Sequence, residues 1–346
     1  MRKAWRVIGM AVTAGMLTAS VAACGASSGG DAPANGLVLY NGQHEQTTQA
    51  LVSAFEKQTG IQVTVRNGDE DQLAEQIMQE GSRSPGDVFY TENSPALMKL
   101  AGQHLLAPVD KATLAAVPSA DSSPAGNWVG VTARISALVY NTNALKPPQL
   151  PTSVMDLANP KWAGKLGIAP GETDFQPIIT SIADTHGSAA ALAWLKGVKA
   201  NAGSHIYPDN ETLVSEVNSG QVEIGLINHY YWYRLRAGLG AGAMHSALHY
   251  FAPGDPGYVL NVSGAGILAS STHQAAAQKF LAFLISAAGQ RIIAQSDSFE
   301  YPLRPGVAAS SQLPPLSSLH PDPADTIAKL GDGSTALQLL QQAQLG

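Results

Sequence analysis

The sequence predicts an α/β protein of two lobes joined by two crossing strands, and three observations carry that expectation. Strand-like and helix-like segments alternate along the chain, the pattern of mainly parallel sheets covered by helices. A β-rich run from Val129 to Tyr140 leads out of the first alternating unit, and Val259 to Leu268 reads as a strand returning to it. About 310 residues follow an N-terminal leader, enough for two domains that each bury a core.

The first unit opens with a strand over Leu37 to Asn41. An amphipathic helix follows from Gln46 to Thr59, with Ala50, Leu51, Ala54 and Phe55 on one face and Gly60 as its stop. Ile61 to Val65 alternates as a strand. Asp71 to Gln79 is helical with Leu73, Ile77 and Met78 inward, and Asp87 to Tyr90 is a third strand. Asn93 reads as the capping residue of a helix that has Pro95 in its first turn. The neighbouring cluster Asp69-Glu70-Asp71 reads as a solvated first turn favoured by the helix dipole.

The second unit spans about Thr152 to Leu260. It has strands at Lys165 to Ala169, His205 to Tyr207 and Val222 to Asn228, and a helix at Ala189 to Lys199. Gly264 and Gly266 mark a tight crossing on the return strand. A helix from His273 to Ala287 completes the first unit, and a last helix, Ser334 to Gln344, packs back on the second. Lobe one is then residues 37–135 and 261–307, and lobe two is residues 136–260 and 308–346.

Residues 1–23 are a leader. Arg2, Lys3 and Arg6 precede an apolar stretch, Val7 to Val21, that is too short and too rich in small residues for a membrane span. Val21-Ala-Ala-Cys24 has the form of a lipobox, and Cys24 is the single cysteine in the chain. The reading preferred over an ordinary secretory signal is lipidation at Cys24, with residues 24–36 as a flexible Gly/Ser-rich tether. Such an anchor holds a soluble domain at the extracytoplasmic face of the membrane without spanning it. With Cys24 lipidated no thiol remains for a disulfide, so the fold rests on its core.

The chain carries 20 basic and 26 acidic residues; loss of the three basic residues of the leader leaves 17 against 26, a net charge of −9. An acidic chain without a basic run argues against nucleic acid. It suits a cationic ligand, although net charge alone says little about binding.

Candidate donors lie at strand ends, where open α/β sheets bind ligands. His44 follows the first strand and Glu92 follows the third. Tyr230 and Tyr231 close the apolar run Ile224-Gly-Leu-Ile-Asn-His-Tyr-Tyr-Trp, which passes straight into a helix. Phenolates are hard, anionic oxygen donors that suit a hard cation such as Fe(III). Alone, a Tyr-Tyr-Trp run is more often core and rim packing. With His44 and Glu92 it offers one nitrogen and three oxygens, leaving two positions of an octahedron.

Six ordered motifs then carry a resemblance: Tyr-Asn-Gly-Gln-His (40–44), Asp-Val-Phe-Tyr-Thr-Glu (87–92), Asn-Pro-Lys-Trp (159–162), Leu-Ile-Asn-His-Tyr-Tyr-Trp (226–232), Ser-Gly-Ala-Gly (263–266) and Glu-Tyr-Pro-Leu (300–303). From about residue 37 to 307 the chain resembles the periplasmic ferric-iron-binding proteins of ABC importers. The resemblance implies a two-lobed periplasmic-binding-protein fold of type 2, with His44, Glu92, Tyr230 and Tyr231 as iron ligands. It also implies a synergistic anion such as phosphate or carbonate, and a permease with its ATPase as partners of a monomeric receptor. The anion turn departs from the family's small Ser-Gly-Ala, reading Gly171-Glu-Thr-Asp-Phe175. Glu172 or Asp174 would repel an anion or replace it; alternatively Thr173 or Asp174 caps the next helix. Asn210 and Asn228 match the family's anion pocket. His229, where relatives often carry an amide, reads as a surface residue in preference to one supporting the site.

The alternative within the same class is a receptor for thiamine, a polyamine or an organic anion, which would need aromatic walls and fixed polar groups. An enzyme is disfavoured, because the chain has no Gly-x-Ser-x-Gly elbow, P-loop or His-Glu-x-x-His motif.

Overall fold

In the computed structural model, which describes residues 36–319, 327 and 329–346, strand β1 (Leu37–Gly42) lies between β2 (Val63–Asn67) and β3 (Val88–Thr91), parallel to both. Helices α1 (Glu45–Thr59), α2 (Glu70–Glu80) and α3 (Ser94–Gly102) make the crossovers of this unit. The leader, Cys24 and most of the tether lie outside the described residues.

After β4 (Leu106–Ala107) and the short α4 (Lys111–Leu114) comes β5 (Trp128–Asn141), fourteen residues, all buried. Its first half pairs antiparallel with β9 (Leu260–Leu268), which in turn pairs with β3. Its second half, from Ser136, pairs with β7 (Ile224–Asn228) and β8 (Ser246–His249). The parallel pair β7 and β6 (Leu166–Gly167) ends the order β2-β1-β3-β9-β5-β7-β6. One strand thus belongs to both halves of the molecule, and β9 returns beside it. Gly264 permits that approach: a Cβ there would lie 3.0 Å from the Val129 carbonyl oxygen and 2.8 Å from Leu97.

The second half carries α5 (Gln176–His186), α6 (Ser188–Ala202), α7 (Asn210–Ser219) and α8 (His229–Leu239). The expected helix from His273 to Ala287 is two, α9 (Gln274–Leu284) and α10 (Ala287–Gln295), because Ser286 stops one and caps the next through Gly289 N–H. His205 to Tyr207 is no full strand; it contributes one bridge, Ile206 to Ile168. The last helix, Ser334–Ala343, packs on α5 and α6 as expected.

Two hydrophobic clusters fill the molecule. Leu37, Leu39, Phe55, Phe89 and Phe280 belong to the larger, which extends to Tyr230 and Tyr231. Leu138, Trp162, Ile179, Trp194 and Leu226 belong to the smaller. Truncating any one to Ala would cost about 2–5 kcal/mol. Among the described residues no helix is long and apolar enough to cross a membrane.

Two expectations about the first unit fail for a common reason. Asp69 caps α2, accepting Gln72 N–H at 2.9 Å, but Glu70 is buried and not solvated. Gly42 lets the start of α2 approach, since a Cβ there would sit 2.7 Å from Glu70 Cβ. The buried carboxylate then takes Asn93 N–H at 2.8 Å and Asn93 Nδ2 at 2.6 Å. The Asn93 side chain is spent on Glu70 and on Thr173 Oγ1 (3.0 Å), so it does not cap α3.

Candidate functional site

His44 stands between β1 and α1 without capping the helix, so its ring is free for other work. Its Nδ1 lies 2.9 Å from Glu92 Oε1, and its buried Nε2 has no hydrogen-bond partner. Donation through Nδ1 leaves the lone pair on Nε2, the form in which imidazole binds a metal. Glu92 follows β3, as the sequence predicts, beside His44. Burial opposes its ionisation, but His44 and Arg134 outweigh burial and hold its carboxyl down at about 2.

The tyrosines occupy the first turn of α8. Their rings lie 4.2 Å apart, tilted by 34°, so two consecutive residues point the same way. Both hydroxyls reach one atom, Asp174 Oδ2, at 2.7 Å from Tyr230 and 2.9 Å from Tyr231. Tyr230 also lies 3.3 Å from Glu92 Oε2, and the His44 ring stands edge-on to it at 5.1 Å. All four expected donors therefore meet, and Asp174 joins them. Asp174 Oδ1 is buried and without a partner. Burial, then the negative charges of Asp174 and Glu92, push both phenols well above their usual range. Without metal the tyrosines keep their protons and share them with Asp174, whose own carboxyl is raised by burial and by Glu92.

Asp174 and Thr173 lie in a single 3-10 turn, Thr173–Phe175, and neither caps α5. Thr173 accepts from Asn93 instead. Glu172 stands at the edge of the group, its carboxyl pushed up to about 8 by burial and then by Asp174. Asn210 opens α7 and Asn228 closes β7. Both are buried, and among the described residues neither side chain hydrogen-bonds the donors.

His229 is a correction. It is fully buried, because α8 begins where β7 ends and its first residue turns into the core. Its Nδ1 accepts Ile135 N–H at 3.2 Å, and Nε2 lies 3.0 Å from the Phe299 carbonyl oxygen, to which it must donate. The ring stacks on Tyr301 at 5.0 Å. Burial pushes the imidazole down to about 3, so it stays neutral.

Arg134, in the middle of β5, escaped the sequence reading. The side chain is fully buried and pairs with Glu300, donates to the Glu92 carbonyl, and places its guanidinium 5.4 Å over the Tyr230 ring. Thr132 and Gln43 also bond Glu300 at 3.1 and 3.3 Å. The signal was there: one arginine in fourteen otherwise uncharged strand residues has to be paired.

Among the described residues no group of three or more His, Cys, Asp or Glu is arranged to hold a metal ion. A donor set exists only with the phenols counted. Its chemistry, hard oxygens and one imidazole, with two buried atoms, His44 Nε2 and Asp174 Oδ1, left without a partner, fits a hard trivalent cation.

A family model described as bacterial extracellular solute-binding protein matches residues 50–318. The Fe(3+)-binding periplasmic protein of Serratia marcescens is 41% identical over 310 residues, covering 90% of each chain. The structure of iron-bound HitA from Pseudomonas aeruginosa superposes with a TM-score of 0.84 at 44% identity, covering 89% of this chain and 98% of that one. Trichodesmium IdiA (FutA), solved with iron and citrate, gives 0.76 at 29%, covering 90% and 100%. The chain has the two-lobed type 2 periplasmic-binding-protein fold. The chain belongs to the bacterial extracellular solute-binding proteins and, among them, to the periplasmic ferric-iron-binding proteins.

Proposed function

We propose that His44, Glu92, Asp174, Tyr230 and Tyr231 together hold ferric iron, in a receptor that captures it outside the cytoplasm and delivers it to an ABC permease and its ATPase. The observation that carries this reading is the convergence of both phenols on Asp174 Oδ2 beside the His44–Glu92 pair. Iron replaces the two phenolic protons and gains His44 Nε2 and the carboxylates. Asp174 supplies an anionic oxygen where the family uses an exogenous anion, which lessens the need for phosphate or carbonate. Glu172, Asn210 and Asn228 shape the surroundings without binding the ion.

Capture follows from two lobes, residues 37–135 with 261–307 and residues 136–260 with 308–346. The second brings the tyrosines and Asp174, the first brings His44 and Glu92, and closure about β5 and β9 assembles the set. The receptor acts as a monomer and catalyses no reaction. Residues 1–23 direct export, and lipid on Cys24 keeps the domain at the membrane. A thiamine, polyamine or organic-anion receptor would need free polar groups and an aromatic wall; here the tyrosine hydroxyls are committed to Asp174.

Thermal unfolding of the processed protein with ferric ion, thiamine, spermidine or citrate alone tests the assignment. Ligand at about 100 times its Kd stabilises by about 2.7 kcal/mol. Ferric ion should raise Tm and the others should not. A shift with an organic ligand and none with iron would overturn the reading.

A further inference from the structure

Helix α8 leaves the donors behind after its first turn. Trp232, Leu235, Arg236 and Leu239 follow at i, i+3, i+4 and i+7, the spacing of one helix face. The first three are half-exposed, and Leu239 is 51% exposed. Residues 237–243 are all exposed and carry no polar side chain, and Met244 extends the apolar surface beyond them. The other exposed large hydrophobic among the described residues, Ile206, is followed within five residues by Asp209 and Glu211. No acidic residue lies between Glu223 and Asp255. Arg234 pairs with Glu211, whereas Arg236 has no carboxylate partner among the described residues; its guanidinium lies 5.5 Å over the Trp232 ring. A chain of net negative charge thus carries here an apolar face with an unpaired cation.

Trp and Leu on one helix face with Arg beside them suit the boundary between water and lipid. Resting on the lipid-anchor reading of Cys24, we propose that this face of α8 is a docking surface for an anionic lipid bilayer. Leu239 and Trp232 enter the headgroup boundary, and Arg236 meets a lipid phosphate. Reach argues for lipid as the occupant. From Cys24 to Gly36 is twelve residues, which span at most about 43 Å. A compact domain of about 310 residues has a radius of gyration of about 20 Å. An anchored domain therefore stays within about its own diameter of the bilayer, at an effective concentration on the order of millimolar, where a weak patch suffices. Leu239 lies eight residues beyond Tyr231, about 12 Å along the helix axis, so the contact is made away from the donors.

Tryptophan quenching of the processed, iron-free protein tests this. Trp128, Trp162 and Trp194 are buried, so Trp232 is the described tryptophan that a lipid-borne quencher reaches. On vesicles of brominated phosphatidylglycerol and phosphatidylethanolamine, wild-type protein should sediment and lose most of its Trp232 emission. The double substitution Arg236→Glu with Leu239→Glu should sediment equally, through the Cys24 lipid, and keep that emission. Vesicles of brominated phosphatidylcholine alone should quench less; equal quenching would overturn the part given to Arg236. Wild-type protein that sediments unquenched, or a double variant quenched like wild type, overturns the docking surface and leaves the anchor standing. So does Trp232 that lipid leaves unquenched but the solubilised permease shields from iodide, since the face then belongs to a protein. Protein that does not sediment at all defeats the anchor reading and this proposal with it.

Discussion

Tyr230 donates its hydroxyl to Asp174 Oδ2 at 2.7 Å, and the same oxygen receives Tyr231. Before iron binds, this carboxylate keeps two phenols protonated in one place, with both pKa values raised by burial and by nearby negative charge. Binding must expel those protons, so protons and iron compete. The sign follows: raising pH favours the loaded form, and lowering pH drives protons back onto the phenols and releases iron. With one to two protons exchanged per ion, retention against a competing chelator should fall by about 10- to 100-fold per pH unit on the acid side. Iron retained after equilibration at a series of pH values measures this.

In the proposed site Asp174 also sets whether an outside anion is needed. Wild-type protein should hold iron with little regard to added phosphate or carbonate. Asp174→Ala should bind weakly in their absence and recover when either is supplied. Competition titrations with and without the anion check this; a wild-type requirement unchanged by the substitution would place the anion as in other members of the family.

On the proposed division into lobes His44 and the tyrosines come from different sides, and they should fail differently. His44→Ala should weaken binding by more than the roughly 10- to 100-fold that loss of an outer partner of a ligand costs, yet leave the phenolate colour. Replacing both tyrosines should abolish binding. Scattering on loading should register compaction as the lobes close.

Arg134 and Glu300 are buried together, so either alone is a liability. Arg134→Met should destabilise the protein by about 3–5 kcal/mol by stranding Glu300. Adding Glu300→Gln should restore part of the loss. Denaturant unfolding of the single and double variants gives the coupling.

Three consecutive pairs interlock around this ion pair. His229 bonds Ile135 and Phe299, whose neighbours Arg134 and Glu300 pair with each other, and Arg134 covers Tyr230, the neighbour of His229. Phe299 sits at φ 51, in the left-handed region, presenting its carbonyl to His229. His229→Gln keeps a donor and an acceptor; His229→Phe loses both and should cost about 1–3 kcal/mol for each buried group left unpaired. If both variants unfold at the wild-type denaturant concentration, the interlock contributes nothing to stability.

The local patterns were legible where a single element decides the outcome. β1, α1, the long β5 and the return strand β9 follow from periodicity and stop signals, and His44, Glu92 and the tyrosines from their place at strand ends. The failures share another cause, contacts between residues far apart in sequence. Glu70 looks like a solvated helix start until Gly42 admits α2 against β1 and Asn93 satisfies the carboxylate. His229 looks exposed because no local pattern reveals Phe299 and Ile135 beside it. No local pattern marks Arg134, because its partner Glu300 lies 166 residues away. Asp174 was undecided between cap and site, since only the folded chain brings Tyr230 and Tyr231 to its carboxylate.

The central claim is that Tyr230 and Tyr231 bind iron as phenolates, and visible absorption during stoichiometric ferric titration tests it most directly. Wild-type protein should develop a phenolate-to-iron charge-transfer band that saturates at one iron per chain. The band should fall strongly in Tyr231→Phe and vanish when Tyr230 is replaced as well. A colourless loaded wild type, or a double variant that keeps the full band, would contradict the account.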